Sequence, residues 1–274
     1  MNLLALQMNS SANLADNLQQ AERLLAQAKP QSGDLVLLPE NFAAYGAGEQ
    51  GYMQLAEALG DGPIQQWLAE QAKRYGIYLV AGSMPTLAED DTRCYTSSLA
   101  FSPHGKLLQH YHKLHLFDVD VADNVGAYRE SDYFIAGQNL AWFDIGEYRV
   151  GMAICFDLRF PYLFQLLREQ GCDIVLLPAA FTAVTGEAHW GPLLQARAIE
   201  NQFYLVAANQ AGTHHNQRQT WGHSMVVDPW GRCLDIQASG ESMARAEFNP
   251  QLIQQVRSSM PVSLHGQLHL GWRK

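Results

Sequence analysis

Glu40, Lys113 and Cys155 differ in chemical type, and each comes at the end of a segment that the sequence predicts to be a β-strand. A carboxylate can act as a general base and a thiol as a nucleophile, while a fixed ammonium group can stabilise an oxyanion. Ligands of open α/β sheets bind beyond the carboxyl ends of strands, so these three side chains could converge on one site. Together they predict amide hydrolysis through a thioester intermediate.

Cys155 lies within Arg-Val-Gly-Met-Ala-Ile-Cys-Phe-Asp-Leu-Arg-Phe-Pro, where a predicted strand gives way to a helix that begins at Phe160 or Pro161. A thiol at such an elbow is placed for attack on a carbonyl, and helix N–H groups nearby would favour its thiolate. Asp157 is predicted to cap that helix. The alternative interpretation, a buried structural thiol, fits poorly because Cys155 ends the strand instead of lying in its middle.

The charged candidates also have structural interpretations. Glu40 could be a solvent-exposed carboxylate at a strand end, and Lys113 a surface lysine that protects an edge strand. Because the residues just before Glu40 are apolar, its carboxylate would instead sit at the floor of a cleft. Glu130, taken alone, indicates no more than a solvated loop charge paired with Arg129.

Three neighbouring histidines offer a different chemistry. His110 and His112 would share one face of a strand and, with His115 or Asp118 as third ligand, could bind zinc. No second ligand cluster at a standard spacing accompanies them. The sequence therefore favours the thiol chemistry over a zinc hydrolase.

Composition narrows the classes of protein. The chain has 274 residues, 47% of them hydrophobic, and no linker rich in Gly, Ser or Pro, so we predict a single domain over residues 1–274. A net charge of −9 without a basic stretch argues against binding to nucleic acid or to a membrane surface. The apolar runs are strand-sized and the N-terminus lacks the pattern of a signal peptide. Four scattered cysteines, at 94, 155, 172 and 233, predict neither disulfides nor a structural zinc site, which favours a cytoplasmic location.

Strands and helices alternate along the predicted chain. Helices are expected at 14–29, 63–75, 161–170 and 189–202, and strands at 2–8, 34–38, 77–82, 95–101, 106–112, 149–154, 173–177, 203–209, 222–227, 232–236 and 243–248. The strands at 95–101 and 106–112 should form a hairpin. Segments 34–40 and 173–179 resemble each other, which indicates two similar half-sheets packed together with helices outside.

Three motifs together resemble the nitrilase superfamily of carbon–nitrogen hydrolases: Leu-Pro-Glu40-Asn, His-Lys113-Leu-His-Leu-Phe-Asp and Gly-Met-Ala-Ile-Cys155-Phe-Asp-Leu-Arg-Phe-Pro. The resemblance implies an α/β fold, a four-layer α-β-β-α sandwich, that stacks into a homodimer or a higher homo-oligomer. It implies that Glu40 is the general base, Lys113 the oxyanion residue and Cys155 the nucleophile, with Glu130 as a second glutamate that orients the site. It implies no cofactor and no metal. Residues 264–274 are expected to form an arm that crosses to a neighbouring subunit.

Within the superfamily, segments 181–190, 195–200 and 222–231 resemble the deaminated glutathione amidases. That resemblance implies hydrolysis of the amide of deaminated glutathione to α-ketoglutarate and Cys-Gly. An ω-amidase acting on α-ketoglutaramate or a related small amide is the alternative, with nitriles and N-carbamoyl compounds ranked lower. A catalytically idle protein on the same fold is a further alternative, against which the intact Glu40, Lys113 and Cys155 argue.

The small-molecule amide substrate that the resemblance implies also leads to candidate residues for substrate binding. The backbone N–H of Phe156 would hold the oxyanion together with Lys113. Two carboxylates on the substrate would need cationic partners, and the remaining candidates for substrate binding are Arg129, Arg159, Phe181, Thr182, His215 and Arg218. Arg159 could instead anchor the loop that follows Cys155.

Overall fold

The structure is a computed structural model that describes residues 1–89, 92–123, 126–215 and 217–265. Most of the predicted C-terminal arm therefore lies outside the described residues. In the described ranges the helices are α1 (Leu14–Ala28), α2 (Gly48–Leu55), α3 (Pro63–Tyr75), α4 (Pro161–Glu169), α5 (Ala183–Asn201) and α6 (Pro250–Ser259). None of these helices is long and apolar enough to cross a membrane.

The strands follow the predicted order closely, with several short additions. They are β1 (Asn2–Gln7), β2 (Leu35–Leu37), β3 (Tyr78–Leu87), β4 (Cys94–Phe101), β5 (Leu107–His112), β6 (Asp118–Asp120), β7 (Ala127–Arg129), β8 (Phe134–Ile135), β9 (Trp142–Ile145), β10 (Tyr148–Met152), β11 (Ile174–Ala179), β12 (Tyr204–Asn209), β13 (Ala211–Thr213), β14 (Gln219–Trp221), β15 (Ser224–Val227), β16 (Cys233–Gln237) and β17 (Ser242–Glu247). Short 3₁₀ turns cover Glu130–Asp132, Cys155–Arg159 and Val262–Leu264.

The larger strands form two sheets. The first has the order β17-β1-β2-β3-β4-β5, with β8 beside β4, and the second has the order β16-β15-β12-β11-β10-β9. In each sheet a parallel trio lies at the centre, β1-β2-β3 in one and β10-β11-β12 in the other. The predicted hairpin of β4 and β5 is confirmed.

Alternation along β1 shows how the layers pack. Leu3 and Ala5 belong to the apolar core shared with the second sheet, whereas Leu4 belongs to a core with Leu24 of α1 and Leu68 of α3. Because successive side chains of a strand point to opposite faces, β1 is covered on one side by the other sheet and on the other side by helices. Helices α4 and α5 cover the second sheet in the same way. The predicted α-β-β-α sandwich is confirmed.

Helix α5 begins six residues before its predicted start at 189. The Thr182 hydroxyl caps it by accepting the backbone N–H of Thr185 at 3.3 Å. Gly186 and Pro192 in the first half hide the helical pattern in the sequence. Gly186 is required by packing, because a Cβ at that position would collide with Trp221.

Candidate active site

The three sequence candidates meet between the two sheets. Glu40 and Lys113 come after β2 and β5 of the first sheet, and Cys155 comes after β10 of the second. The Lys113 Nζ lies 2.8 Å from Glu40 Oε1, and the Cys155 thiol is hydrogen-bonded to the same carboxylate. All three are buried, with Lys113 only 1% exposed, so the surface-lysine interpretation is wrong.

Glu130 completes the group. Its two carboxylate oxygens accept from Lys113 Nζ at 2.9 and 2.7 Å, and one of them also accepts the backbone N–H of Phe117 at 2.6 Å. Arg129 pairs with Asp120 at 2.8 Å instead. The structure therefore places Glu130 against the lysine, and its interpretation as a solvated loop charge paired with Arg129 is wrong.

The charges decide where protons rest. Burial by itself lowers the pKa of Lys113, but the carboxylates of Glu130 and Glu40 outweigh burial and hold it well above its ordinary value. Burial, and then the charge of Glu40, raises the pKa of Cys155 well above its ordinary value, although Lys113 acts in the opposite direction. Burial and Glu40 thus act against the thiolate that helix N–H groups are expected to favour. The two carboxylates of Glu40 and Glu130 already exceed the single positive charge of Lys113, so a thiolate would add a further uncompensated buried negative charge.

The backbone at Cys155 forms a sharp elbow. Its φ of 45° lies in the left-handed region, which costs a residue other than glycine about 1–2 kcal/mol. The elbow turns the chain from β10 into the 3₁₀ turn, and the backbone N–H of Ala180 donates to the sulfur. A strained strand-to-helix turn exposes a nucleophile in the same way in other hydrolases.

Asp157 does not cap α4, contrary to the prediction. Its carboxylate turns back to accept the backbone N–H of Ile154 at 2.8 Å. Helix α4 begins with Pro161, which has no N–H to be satisfied at that position.

A cavity of about 280 Å³ opens at this point. It is lined by Glu40, Lys113, Glu130 and Cys155, and by six of the predicted binding residues: Phe156, Arg159, Phe181, Thr182, Arg129 and Arg218. His215 is not brought to this cavity: it lies exposed on the turn between β13 and β14. Arg218, from the same turn, does line the cavity.

Two predicted arginines occupy different surroundings. Arg159 lies over the rings of Phe156 and Phe181, with its guanidinium carbon 5.9 and 5.2 Å from their centres, and one of its nitrogens lies 3.2 Å from His189 Nδ1. Burial lowers its pKa, and within the described part of the chain no carboxylate pairs with it. The guanidinium of Arg129, by contrast, is held by Asp120. Arg159 is thus better placed than Arg129 to meet an anionic substrate.

Sequence reasoning missed the aromatic wall of the cavity. Tyr45 and Tyr52 line it, and the ring of Tyr45 lies against that of His214 with centres 4.1 Å apart. Both tyrosines come soon after Glu40, in a stretch without helical or strand periodicity, so only their nearness to a candidate base could have indicated them. Asn41 also lines the cavity, with a left-handed φ of 56° and its N–H bonded to the Ser83 hydroxyl at 2.9 Å.

The neighbouring histidines form no zinc site within the described residues. The rings of His110 and His112 do lie on one strand face with centres 4.9 Å apart, but His112 Nδ1 is hydrogen-bonded to Ser97. His115 Nδ1 is bonded to Asp157 at 2.7 Å. Across the residues that the structure describes, no group of three or more His, Cys, Asp or Glu could hold a metal ion.

Comparisons with known proteins show the family and the fold of the chain. Residues 4–258 match the carbon–nitrogen hydrolase family model. The chain belongs to that family. A deaminated glutathione amidase of Yersinia enterocolitica is 45% identical, covering 96% of this chain and 92% of the relative, and an omega-amidase of Danio rerio is 37% identical, covering 95% and 92%. The crystal structure of Saccharomyces cerevisiae Nit3, a member of branch 10 of the nitrilase superfamily, superposes with a TM-score of 0.84 at 29% identity, covering 96% of this chain and 95% of that one. This carbon–nitrogen hydrolase is therefore a hydrolase of C–N bonds other than peptide bonds, with the nitrilase fold.

Proposed function

We propose that this carbon–nitrogen hydrolase is an amidase that cleaves the amide of deaminated glutathione to α-ketoglutarate and Cys-Gly. One observation carries the proposal: a thiol, a carboxylate that accepts a hydrogen bond from it, and an ammonium group meet in a single cavity. These are the nucleophile, the base and the oxyanion partner that thioester chemistry requires.

The first half-reaction forms the thioester. Glu40 takes the proton from Cys155 as the sulfur attacks the amide carbon, so no free thiolate needs to exist before substrate binds. The Lys113 ammonium and the backbone N–H of Phe156 hold the oxyanion. Glu40 then gives its proton to the leaving amine, which departs as Cys-Gly when the C–N bond breaks.

The second half-reaction releases the acid. The Glu40 carboxylate takes a proton from water, which attacks the thioester carbon, and the C–S bond breaks as the proton returns to sulfur. Glu130 acts through Lys113: its two hydrogen bonds to Nζ fix the direction in which the ammonium group points. α-Ketoglutarate leaves, and Cys155 is a thiol again.

The shape of the site supports a substrate with a large leaving group. A second recess of about 170 Å³ adjoins the cavity and shares Tyr128 and Arg218 with it. Arg159 and Arg218, together with Phe181 and Thr182, supply cationic and polar contacts for a substrate that carries two carboxylates. Among the relatives, the deaminated glutathione amidase of Yersinia enterocolitica supports the same substrate.

An ω-amidase acting on α-ketoglutaramate is the second candidate, favoured by the similarity to the omega-amidase of Danio rerio. The same Glu40, Lys113 and Cys155 would serve it, with ammonia as the leaving group. Only the outer part of the cavity distinguishes the two activities, because the acyl groups of the two substrates are the same.

The remaining features of the proposal come from the resemblance and the composition. The enzyme acts as a single domain over residues 1–274 without cofactor or metal, as a homodimer or a higher homo-oligomer, in the cytoplasm. It has neither nucleic acid nor a membrane as a partner.

The deciding test compares kcat/KM for deaminated glutathione and for α-ketoglutaramate on the purified enzyme. A strong preference for deaminated glutathione is expected, and would mean that the enzyme repairs a by-product of glutathione. A preference for α-ketoglutaramate would identify an ω-amidase instead. Turnover of neither substrate would contradict both candidates.

A further inference from the structure

Asp157 is a fully buried carboxylate that lies beside the active site but does not line its cavity. Its Oδ2 accepts the Tyr111 hydroxyl at 2.7 Å and the Ile154 N–H at 2.8 Å. Its Oδ1 accepts the ring Nδ1–H of His115 at 2.7 Å and the backbone N–H of the same residue at 3.2 Å. A carboxylate taken out of water needs such donors, and here both oxygens are fully used.

The donors come from the two segments that carry the reacting groups. Ile154 immediately precedes Cys155, while Tyr111 and His115 lie two residues before and two residues after Lys113. The Tyr111 hydroxyl also accepts the backbone N–H of Leu114 at 3.3 Å. One side chain therefore joins the nucleophile elbow of the second sheet to both sides of the lysine in the first sheet.

Asp157 also closes the elbow itself. Its backbone N–H donates to the Ile154 carbonyl at 3.0 Å, while its carboxylate accepts the Ile154 N–H. This reciprocal pair brackets Cys155, whose left-handed φ needs support from its surroundings.

The other contacts of the group are consistent with a rigid support. Burial and the charge of Asp157 raise the pKa of Tyr111 well above its ordinary value, so its hydroxyl remains a donor. The ring of His115 stacks on Phe160, with centres 3.6 Å apart and planes 9° from parallel.

We propose that Asp157 is a positioning residue that holds the Lys113 ammonium and the Cys155 sulfur in one fixed relation, acting through Tyr111, His115 and Ile154. The inference rests on the proposed thioester chemistry of that site. Reacting groups held about 1 Å out of place can lose about 100-fold in rate, which sets the size of the expected effect.

The test replaces Asp157 by Asn. The amide presents an NH₂ group where one pair of donors needs an acceptor, so two of the four hydrogen bonds are lost. We expect kcat to fall about 100-fold while KM stays within about threefold of the wild type, because no substrate contact is removed. Tyr111→Phe removes one connection only and should lower kcat about tenfold.

Asp34→Asn is the matched control. Asp34 is 2% exposed and accepts the backbone N–H groups of Asn2 at 2.7 Å and Gln31 at 2.9 Å, at the opposite end of β2 from Glu40. The Asp34→Asn variant should be less stable than the wild type but should keep the wild-type kcat. A folded Asp157→Asn variant with the kcat of Asp34→Asn, or with raised KM and unchanged kcat, would overturn the proposal. If Asp157→Asn does not fold, Tyr111→Phe decides, and a wild-type kcat in that variant overturns it.

A readout without substrate separates this inference from the proposed function. The rate at which iodoacetamide alkylates Cys155, measured by mass spectrometry of the cysteine peptides, should fall in Asp157→Asn and not in Asp34→Asn. If the wild type hydrolyses neither amide, the proposed function fails, and the alkylation rates alone decide the role of Asp157. Equal alkylation rates in the two variants would overturn that role.

Discussion

Two segments with nearly the same sequence occupy equivalent places in the two sheets but supply different groups to the site. Segments 34–40 and 173–179 each run from Asp through Val-Leu-Leu to Pro, and each contains the middle strand of a parallel trio, β2 or β11. After the proline they diverge. Glu40 supplies the carboxylate of the site, whereas Ala179 leads to Ala180, whose backbone N–H donates to the Cys155 sulfur.

The comparison separates the scaffold from the chemistry. Leu37 and Leu176 are both buried in the core between the sheets, so the two strands build the two walls of the cavity in the same way. The residues at the carboxyl end of each strand then decide whether that wall supplies a base or only a backbone donor. Matched substitutions within the two strands should therefore affect stability alike, whereas substitution of the catalytic residue at a strand end should affect activity.

The largest effect is expected from Glu40→Gln. It removes the base that serves both half-reactions, and kcat/KM should fall about 10⁴-fold with little loss of fold. Glu57→Gln is the matched control, because Glu57 is also buried but caps α3 by accepting the N–H groups of Ile64 at 2.6 Å and Gln65 at 3.1 Å. A Glu40→Gln enzyme as active as Glu57→Gln would rule out the assigned base.

Lys113→Met should have the next largest effect. Loss of the ammonium removes one of the two oxyanion donors, and kcat should fall about 10²–10³-fold. Lys106→Met in the exposed turn between β4 and β5 should leave kcat unchanged. Steady-state kinetics on both variants measures this. A kcat for Lys113→Met within tenfold of that for Lys106→Met, which is a loss of no more than about 1.4 kcal/mol of transition-state stabilisation, would contradict the role of Lys113.

Leu37→Ala and Leu176→Ala test whether the two strands contribute equally to the stability of the fold. Both side chains are fully buried or nearly so, and each truncation should lower the free energy of unfolding by about 2–5 kcal/mol. Urea titrations measure this loss, and kcat of the folded fraction should change little in either variant. A loss confined to one of the two would show that the strands are not structurally equivalent.

The smallest effect concerns His214, which lies behind Tyr45. Burial lowers the pKa of His214 from 6.5 to about 4. Between these values the unfolded chain binds a proton that the folded protein does not, so stability is full above pH 6.5 and falls as the pH drops towards 4. His214→Gln should reduce this loss by about 1–3 kcal/mol in urea titrations at pH 7 and pH 4.5, whereas His215→Gln on the exposed turn should not. Equal pH dependence in all three proteins would contradict the assignment.

Much of the fold can be predicted from local patterns. Short apolar runs indicated the central strands, and Pro63 with Gly76 marked both ends of α3. Helix α2 is not predicted because its Gly- and Tyr-containing sequence has no apolar period. Helix α6 is not predicted either, because only its start signal, Asn249 before Pro250, indicates it. The ribbon of β6 and β7 is too short and polar to predict.

The part of the site whose residues can be recognised from their chemical type and their place at a strand end was predictable. Glu40, Lys113 and Cys155 each end a predicted strand, and their motifs carry the family resemblance. The role of Asp157 was not predictable, because its side-chain partners lie 42 and 46 residues away, His115 in the loop after β5 and Tyr111 in β5 itself. The prediction that His215 binds substrate rests on its charge alone and is wrong for the cavity, because the sequence does not show which side of a turn faces a cavity.

The central claim is that Cys155 of one sheet forms a thioester with help from Glu40 and Lys113 of the other. The most direct test is turnover of deaminated glutathione and α-ketoglutaramate by Cys155→Ala beside the wild type, with the folded state checked by circular dichroism. We expect a folded protein without measurable turnover of either amide, whereas the wild type hydrolyses at least one of them. Turnover by Cys155→Ala at the wild-type rate would contradict the claim.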